Sequence, residues 1–290
     1  MRAMRKLPVS GHYFEGARWR DGHWWVSDLY APQVLKIAPD GTSTVVATVE
    51  QQPSGLGWLA DGTLLVVSMK DRRVLRVQPD GTTRLHADIL ALTGSLANDM
   101  ATDRRGHTYV SNLGFNLFIH EAPRMAAVVH VAPDGRADIA AADLLFPNGM
   151  VVTDDQKTLI VAETFGGRLM AFTIGADGSL SERRVWAQVG ITPAWDSLDS
   201  LFKTDIMPDG CTIDAQGCVW MADAMGGRVV RVREGAGIID EIRVPEGLGV
   251  YSCAVGGAKR DRLLICTAPD YDDVKCKAAK NAGLYEADLS

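Results

Sequence analysis

Six positions of this chain carry short side chains in one repeated setting: Glu15, Ser54, Asn98, Asn148, Asp209 and Ser252. Each sits just ahead of an apolar stretch that runs through a turn into a second strand-like stretch, as in Glu15-Gly-Ala-Arg-Trp, Asn148-Gly-Met-Val-Val and Asp209-Gly-Cys-Thr-Ile. If the six segments are arranged around an axis, Glu15, Asn98, Asn148 and Asp209 bring carboxylate and amide oxygens to one point. Such oxygens are the ligand set of a hard divalent cation: calcium first, with magnesium, manganese and zinc also possible.

The elements that must position these residues repeat as well. A turn-then-strand unit begins at Asp21, Asp61, Asp103, Asp154, Asp214 and Asp261, for example Asp61-Gly-Thr-Leu-Leu-Val-Val and Asp154-Asp-Gln-Lys-Thr-Leu-Ile-Val. A third strand follows in most units, such as Val34-Leu-Lys-Ile, Val74-Leu-Arg-Val and Val229-Val-Arg-Val. Pro39-Asp-Gly, Pro79-Asp-Gly, Pro133-Asp-Gly and Ala176-Asp-Gly then supply the positive-φ residue of a tight hairpin. A period of roughly 40–50 residues with four short strands per unit reads as a β-propeller. The expected fold is therefore all-β, a six-bladed propeller with a central metal site, in one domain over residues 1–290. The N-terminal Lys6-Leu-Pro-Val is expected to pair beside Gly283-Leu-Tyr-Glu-Ala-Asp-Leu and close the ring.

The units differ in two loops. The longest interval separates Asp154 from Asp214, and its excess lies in the stretch from Gly190 to Met207, just before Asp209. A long loop feeding into a ligand position is a lid candidate, with Trp195 and Phe202 facing substrate. A second excursion follows Asn112 and contains Phe115 and Phe118. Asn112, Phe115, Trp195 and Phe202 are thus the expected substrate contacts, and their aromatic character favours an apolar substrate over a sugar. A further equivalent set, Asp28, Ser68, Glu163 and Asp223, stands behind the first; Glu163 and Asp223 in particular are placed to orient the metal ligands.

Composition narrows the classes. Hydrophobic residues make up 47% and the net charge is −6, which disfavours nucleic acid and anionic membrane as partners. No stretch is apolar over the length of a membrane span, and no apolar segment follows the basic start as in a secretory signal. The five cysteines include no CxxC pair, so buried thiols in the reducing cytoplasm fit best. No Gly-x-Ser-x-Gly elbow, HExxH or phosphate loop occurs, which leaves serine nucleophiles and nucleotide chemistry without support.

The segments Glu15-Gly-Ala-Arg-Trp, Asn98-Asp, Phe146-Pro-Asn-Gly-Met, Ala162-Glu-Thr-Phe-Gly-Gly-Arg-Leu and Pro208-Asp-Gly-Cys-Thr-Ile-Asp, in this order and at blade spacing, resemble the family of gluconolactonase, regucalcin (senescence marker protein) and luciferin-regenerating enzyme. The resemblance covers nearly the whole chain. It implies one divalent metal in the central channel, bound by Glu15, Asn148 and Asp209 with Asn98 facing the metal or substrate, and Asp209 as the acid/base residue. It implies hydrolysis of a lactone or related ester, with Asp209 accepting the proton of a metal-activated water. Sugar-lactone hydrolases of the family often carry an Arg shortly before the Asn-Asp pair; here the stretch is Thr93-Gly-Ser-Leu-Ala-Asn98, which points away from a polyhydroxylated substrate. Two other readings stay open: a metal-assisted isomerase, cyclase or lyase on the same scaffold, and a non-catalytic binding propeller.

Overall fold

The inner strand of each unit meets its neighbours at an axis, and the rest of each unit fans outward. The structure, a computed structural model, describes residues 2–290. After β1 (Met4–Gly11), blade I runs from β2 (Phe14–Arg20) to β5 (Ser43–Thr48) and blade II from β6 (Pro53–Trp58) to β9 (Thr83–Asp88). Blade III runs from β10 (Ala97–Thr102) to β13 (Ala137–Leu144), blade IV from β14 (Pro147–Val152) to β17 (Leu180–Gln188), and blade V from β18 (Pro208–Ile213) to β21 (Gly237–Arg243). Blade VI combines β22 (Gly249–Gly256), β23 (Arg262–Ala268) and β24 (Ala282–Asp288) with β1 on its outer edge. The six-bladed, all-β expectation is borne out. So is the pairing that joins the two ends of the ring: Lys6 stands opposite Tyr285 and Met4 opposite Ala287.

The outer hairpins behave as their Asp-Gly sequences require. Gly41, Gly81, Gly135 and Gly178 take φ values of 92°, 82°, 91° and 85°. In each turn the Asp carboxylate accepts the amide two residues on, at 2.8 Å for Asp40–Thr42 and 3.0 Å for Asp80–Thr82. Those bonds hold the Asp40 and Asp80 carboxyls below their usual range.

Apolar side chains fill the spaces between blades. Ile160, Ala162, Val219 and Met221 join blades IV and V, and Trp220, Val229, Cys253 and Leu263 join V and VI. Each fully buried Ile, Val, Leu or Met side chain among these contributes about 1.5–3 kcal/mol relative to exposure, which fixes the blades tightly enough to hold an axial site. Among the described residues no helix is long and apolar enough to cross a membrane.

Every inner strand carries a bulge near the axis. On β18, Pro208 pairs with Asp223 and the regular register resumes only at Cys211 opposite Met221; β6, β10 and β14 break in the same place. A bulge re-aims the side chain it carries, and here it turns the residue after each strand start toward the axis. The candidate ligands therefore lie inside the inner strands, one residue from their start, rather than ahead of them. The following glycine lets the strands approach: a Cβ on Gly149 would meet the Asp209 carbonyl oxygen at 2.5 Å, and one on Gly55 the Met100 amide nitrogen at 2.4 Å.

The same packing corrects the sixth position. A Cβ on Gly210 would meet the Ser252 Cα at 2.8 Å, just as one on Gly149 would meet the Gly210 Cα at 2.7 Å. Ser252 is therefore the counterpart of Gly210. Tyr251, the unpaired residue between Val250 and Ser252 in the ladder, is the counterpart of Asp209. The axial ring reads Glu15, Ser54, Asn98, Asn148, Asp209 and Tyr251.

Candidate functional site

The ring floors a cavity of about 120 Å³ whose lining includes Glu15, Asn98, Asn148 and Asp209, so the four residues singled out by the repeat converge. All four are less than 9% exposed. Asn98 Nδ2 donates to Asn148 Oδ1 at 2.8 Å, and Asn148 Nδ2 to Thr164 Oγ1 at 3.3 Å. Thr164 in turn donates to the Pro208 carbonyl at 2.7 Å, tying blade IV to the strand that carries Asp209. The oxygen and nitrogen of an asparagine amide exchange places by rotation, so both amides could turn an oxygen to the axis.

The two carboxylates are poorly satisfied. Asp209 Oδ1 is buried and has no hydrogen-bond partner. Burial, then repulsion from Asp209 and Asp99, pushes the Glu15 carboxyl well above its usual range. Burial, then repulsion from Asp99, does the same to Asp209, against smaller opposing effects of the Gly210 amide and Asn148. Two repelling carboxylates, two amides and an orphan carboxylate oxygen fit a divalent cation. Among the described residues no cluster of three or more His, Cys, Asp or Glu side chains is arranged to hold a metal; the donors here are half amide.

Beneath the ring lies a group that the repeat did not single out. Asp99 occupies in blade III the place that Gly16, Gly55, Gly149 and Gly210 take elsewhere. Its Oδ1 accepts from Arg18 Nη2 at 2.7 Å, while its Oδ2 is buried without a partner. Arg18 also donates to the Leu56 carbonyl at 3.0 Å, which locks the pair between blades. A charged residue at a position otherwise kept for glycine was the available signal.

The set Asp28, Ser68, Glu163 and Asp223 ends the second strand of its blade; Ser68 donates to Asp71, and the carboxylates are spent on the backbone and on arginines. Glu163 accepts the Leu145 amide at 2.8 Å and Asp223 the Met207 amide at 3.2 Å, and each is paired with an Arg, Arg168 and Arg228 respectively. Asp28 accepts the amides of His12 and Tyr13. These carboxylates hold the chain as it enters the inner strands; none hydrogen-bonds an axial side chain, which corrects the expectation that Glu163 and Asp223 orient the ligands directly. Asn112 belongs here too. It donates to the Ala127 carbonyl at 2.6 Å and accepts the Gly114 amide at 3.1 Å, and it does not line the cavity where the sequence reading expects it.

The mouth has two unlike walls. Phe118, Phe146, Phe165 and Phe202 line it from blades III and IV and from the loop before blade V, where α1 (Leu198–Leu201) sits. Phe115 and Trp195 do not line the cavity. They pack behind it: Trp195 stands edge-on to Phe115 at 6.2 Å and to Phe165 at 6.3 Å and thereby anchors the loop. Phe202 is the loop's contribution to the wall, 5.6 Å from Phe165. The opposite wall, from blades VI and I, is Tyr13, Tyr30, Tyr251 and Tyr271. The sequence offers a signal for Tyr251 alone, since aligning Cys253 with Cys211 puts it at the sixth axial position. The lining contains no Arg, Lys or His.

The family described as SMP-30/Gluconolactonase/LRE-like region matches residues 14–269. A pentonolactonase of Haloferax volcanii is 25% identical over 277 residues, spanning 92% of this chain and 86% of that protein. A virginiamycin B lyase of Nocardia farcinica is 36% identical over 127 residues, 40% of this chain and 44% of its own length. The crystal structure of a calcium-binding protein, regucalcin, from Agrobacterium tumefaciens superposes with a TM-score of 0.76 at 21% identity, covering 100% of this chain and 96% of that one.

Proposed function

Because this chain belongs to the SMP-30/gluconolactonase/LRE-like family, we propose that it hydrolyses a neutral, largely apolar lactone with one divalent cation held by Glu15, Asn98, Asn148 and Asp209. The observation that carries this reading is the axial ring, in which two buried carboxylates and two amides converge and one carboxylate oxygen is left without a partner. The relative named a pentonolactonase supports lactone hydrolysis as the reaction class. The neighbour named as calcium-binding supports calcium as the first choice of ion, ahead of magnesium, manganese and zinc. The absence of a cationic side chain from the walls and of an Arg before Asn98 supports a neutral, apolar substrate.

A bound cation would polarise the lactone carbonyl and acidify water. The protein's own groups do the rest. Asp209 Oδ1 accepts the proton of the attacking water and returns it to the alkoxide set free when the acyl–oxygen bond breaks. Glu15 would balance the charge of the bound cation. Asn98 and Asn148, held by each other and by Thr164, fix the geometry, and the phenylalanine wall keeps bulk water out. The five buried free thiols support a cytoplasmic setting.

The test is hydrolysis of a panel from aldonolactones to alkyl lactones by chelator-treated protein, with each ion restored in turn. Activity that disappears with chelator, returns with metal and rises toward alkyl lactones is expected; a metal-loaded protein inactive on the whole panel would sink the hydrolase reading. The partial match to a lyase favours one rival reading. Mass spectrometry of the product separates the two, since hydrolysis adds water and elimination does not.

A further inference from the structure

Tyrosine at the sixth axial position is out of keeping with the other five, which carry short side chains. A ring cannot stand on the axis without filling it, so the Tyr251 side chain folds up the wall. Its hydroxyl reaches Gly249, where a Cβ would stand only 2.4 Å from it, so the glycine makes room for the phenol. The ring packs against Tyr13 at 4.6 Å with an interplanar angle of 42°. Both residues line the cavity, and they are 4% and 9% exposed. Among the described residues neither hydroxyl has a hydrogen-bond partner, whereas the buried Tyr109 gives its own to the Gly178 carbonyl at 2.8 Å. Neither hydroxyl is among the buried side-chain atoms left without a partner, so each is accessible and its proton is free to be donated to a bound molecule.

Across the cavity, above Asn98, Asn148 and Thr164, blades III and IV and the loop before blade V present a wall of Phe118, Phe146, Phe165 and Phe202. Blades VI and I lie opposite them in a six-membered ring, so the cavity has a phenol side, a hydrocarbon side and the carboxylate–amide floor between.

We infer that Tyr251 and Tyr13 are specificity-determining residues that donate hydrogen bonds to the oxygen-bearing edge of a neutral lactone, whose hydrocarbon substituent lies against the phenylalanines opposite. This rests on the hydrolase reading for the identity of the polar edge, but the two-sided recognition is a claim about binding and stands apart from turnover. The substrate class is a lactone with one alkyl or aryl arm on the carbon next to the ring oxygen. Substituents bearing a carboxylate, phosphate or sulfonate are refused, because nothing on the walls offsets their charge.

The experiment uses the calcium-loaded full chain, the variants Y251F, Y13F and F202A, and two homologous series with side chains from methyl to octyl: γ-lactones for turnover, and the corresponding 5-alkyl-2-pyrrolidinones, lactams that bind without ready hydrolysis, for calorimetry. In the wild type, affinity should rise about threefold per added CH₂ until the wall is filled. Y251F should lower lactam affinity and lactone kcat/KM about tenfold at every chain length and leave the slope intact. F202A should flatten the slope, lowering affinity and kcat/KM most for the longest side chains. Y251F removes one oxygen and adds no bulk, and its melting temperature confirms folding. Lactam binding with the expected slope but no lactone turnover would overturn the hydrolase reading and uphold this one. Turnover without a chain-length slope, or a Y251F variant equal to wild type in both series, would overturn this inference and leave the hydrolase standing.

Discussion

Two sets of polar side chains, each repeated around the propeller, share residue types and depth of burial but not circumstances. The axial set, Glu15, Asn98, Asn148 and Asp209, and the strand-end set, Asp28, Asn112, Glu163 and Asp223, are all less than 9% exposed. The strand-end carboxylates are fully used. Glu163 takes one backbone amide and the guanidinium groups of Arg168 and Arg183, and Asp223 takes one backbone amide and Arg228. The axial carboxylates face each other and Asp99, and Asp209 Oδ1 has no partner at all. Neither residue type nor burial separates the two sets; the unpartnered oxygen of Asp209 does.

That contrast predicts opposite responses to mutation. Asp209→Asn removes the proton acceptor and a ligand charge, so turnover should fall by about 10²–10⁴ while the metal-free protein melts at the same temperature or higher, one repelling buried charge having gone. Stopped-assay kinetics and calorimetry of the same preparation check both halves, and an active Asp209→Asn enzyme would break the comparison. Glu163→Ala should do the reverse. It strands Arg168 and the Leu145 amide, so unfolding should become easier by about 3–5 kcal/mol, with metal affinity of the folded fraction unchanged. Denaturant titration reads the first and calorimetry at low temperature the second.

Metal removal is the next sharpest test. Calcium at a hundred times its Kd should stabilise the native protein by about 2.7 kcal/mol, and the gain should vanish in the Glu15→Gln, Asp209→Asn double variant but persist in Asp223→Asn. A thermal shift of equal size in all three proteins would place the ion elsewhere.

How much of this could be read beforehand follows from the same contrast. The blades were legible because period-two apolar runs and Asp-Gly turns are local signals. Glu15, Asn98, Asn148 and Asp209 were legible because four inner strands repeat the residue before a Gly or Asp in one setting. Blade VI broke that pattern: Tyr251-Ser252-Cys253 has no glycine, and a small polar residue drew the alignment to Ser252, one place too far. Asn112 looked like a mouth residue because it opens a long loop. Only the ladder shows that it is the blade III counterpart of Glu163, with both ends of its amide bound to backbone. Partner counts of this kind depend on contacts between distant segments, and no window of sequence contains them.

A partly buried histidine pair in blade III lies between the two cases and gives the smallest expected effect. His107 Nδ1 and His130 Nε2 are 2.9 Å apart, so one nitrogen must donate and the other accept. The arrangement is satisfied only while one ring is neutral. Asp103 and Asp177 favour charge on His107 and Arg105 opposes it, but burial outweighs them and holds the ring below its ordinary range. A histidine whose pKa is lower folded than unfolded binds fewer protons in the native state. Its contribution is therefore complete above the unfolded value of about 6.5 and is lost as pH falls through the interval beneath it. Melting temperature should decline on acidification below that point, and His107→Gln, which keeps a hydrogen-bonding group without a titrating one, should remove part of the decline. Because His107 is well hydrated, the difference should be small, and it should be independent of calcium. A decline abolished by calcium would instead assign the acid sensitivity to the axial carboxylates, and would mean that the partner count at the outer blade governs less of the protein's stability than the one at its centre.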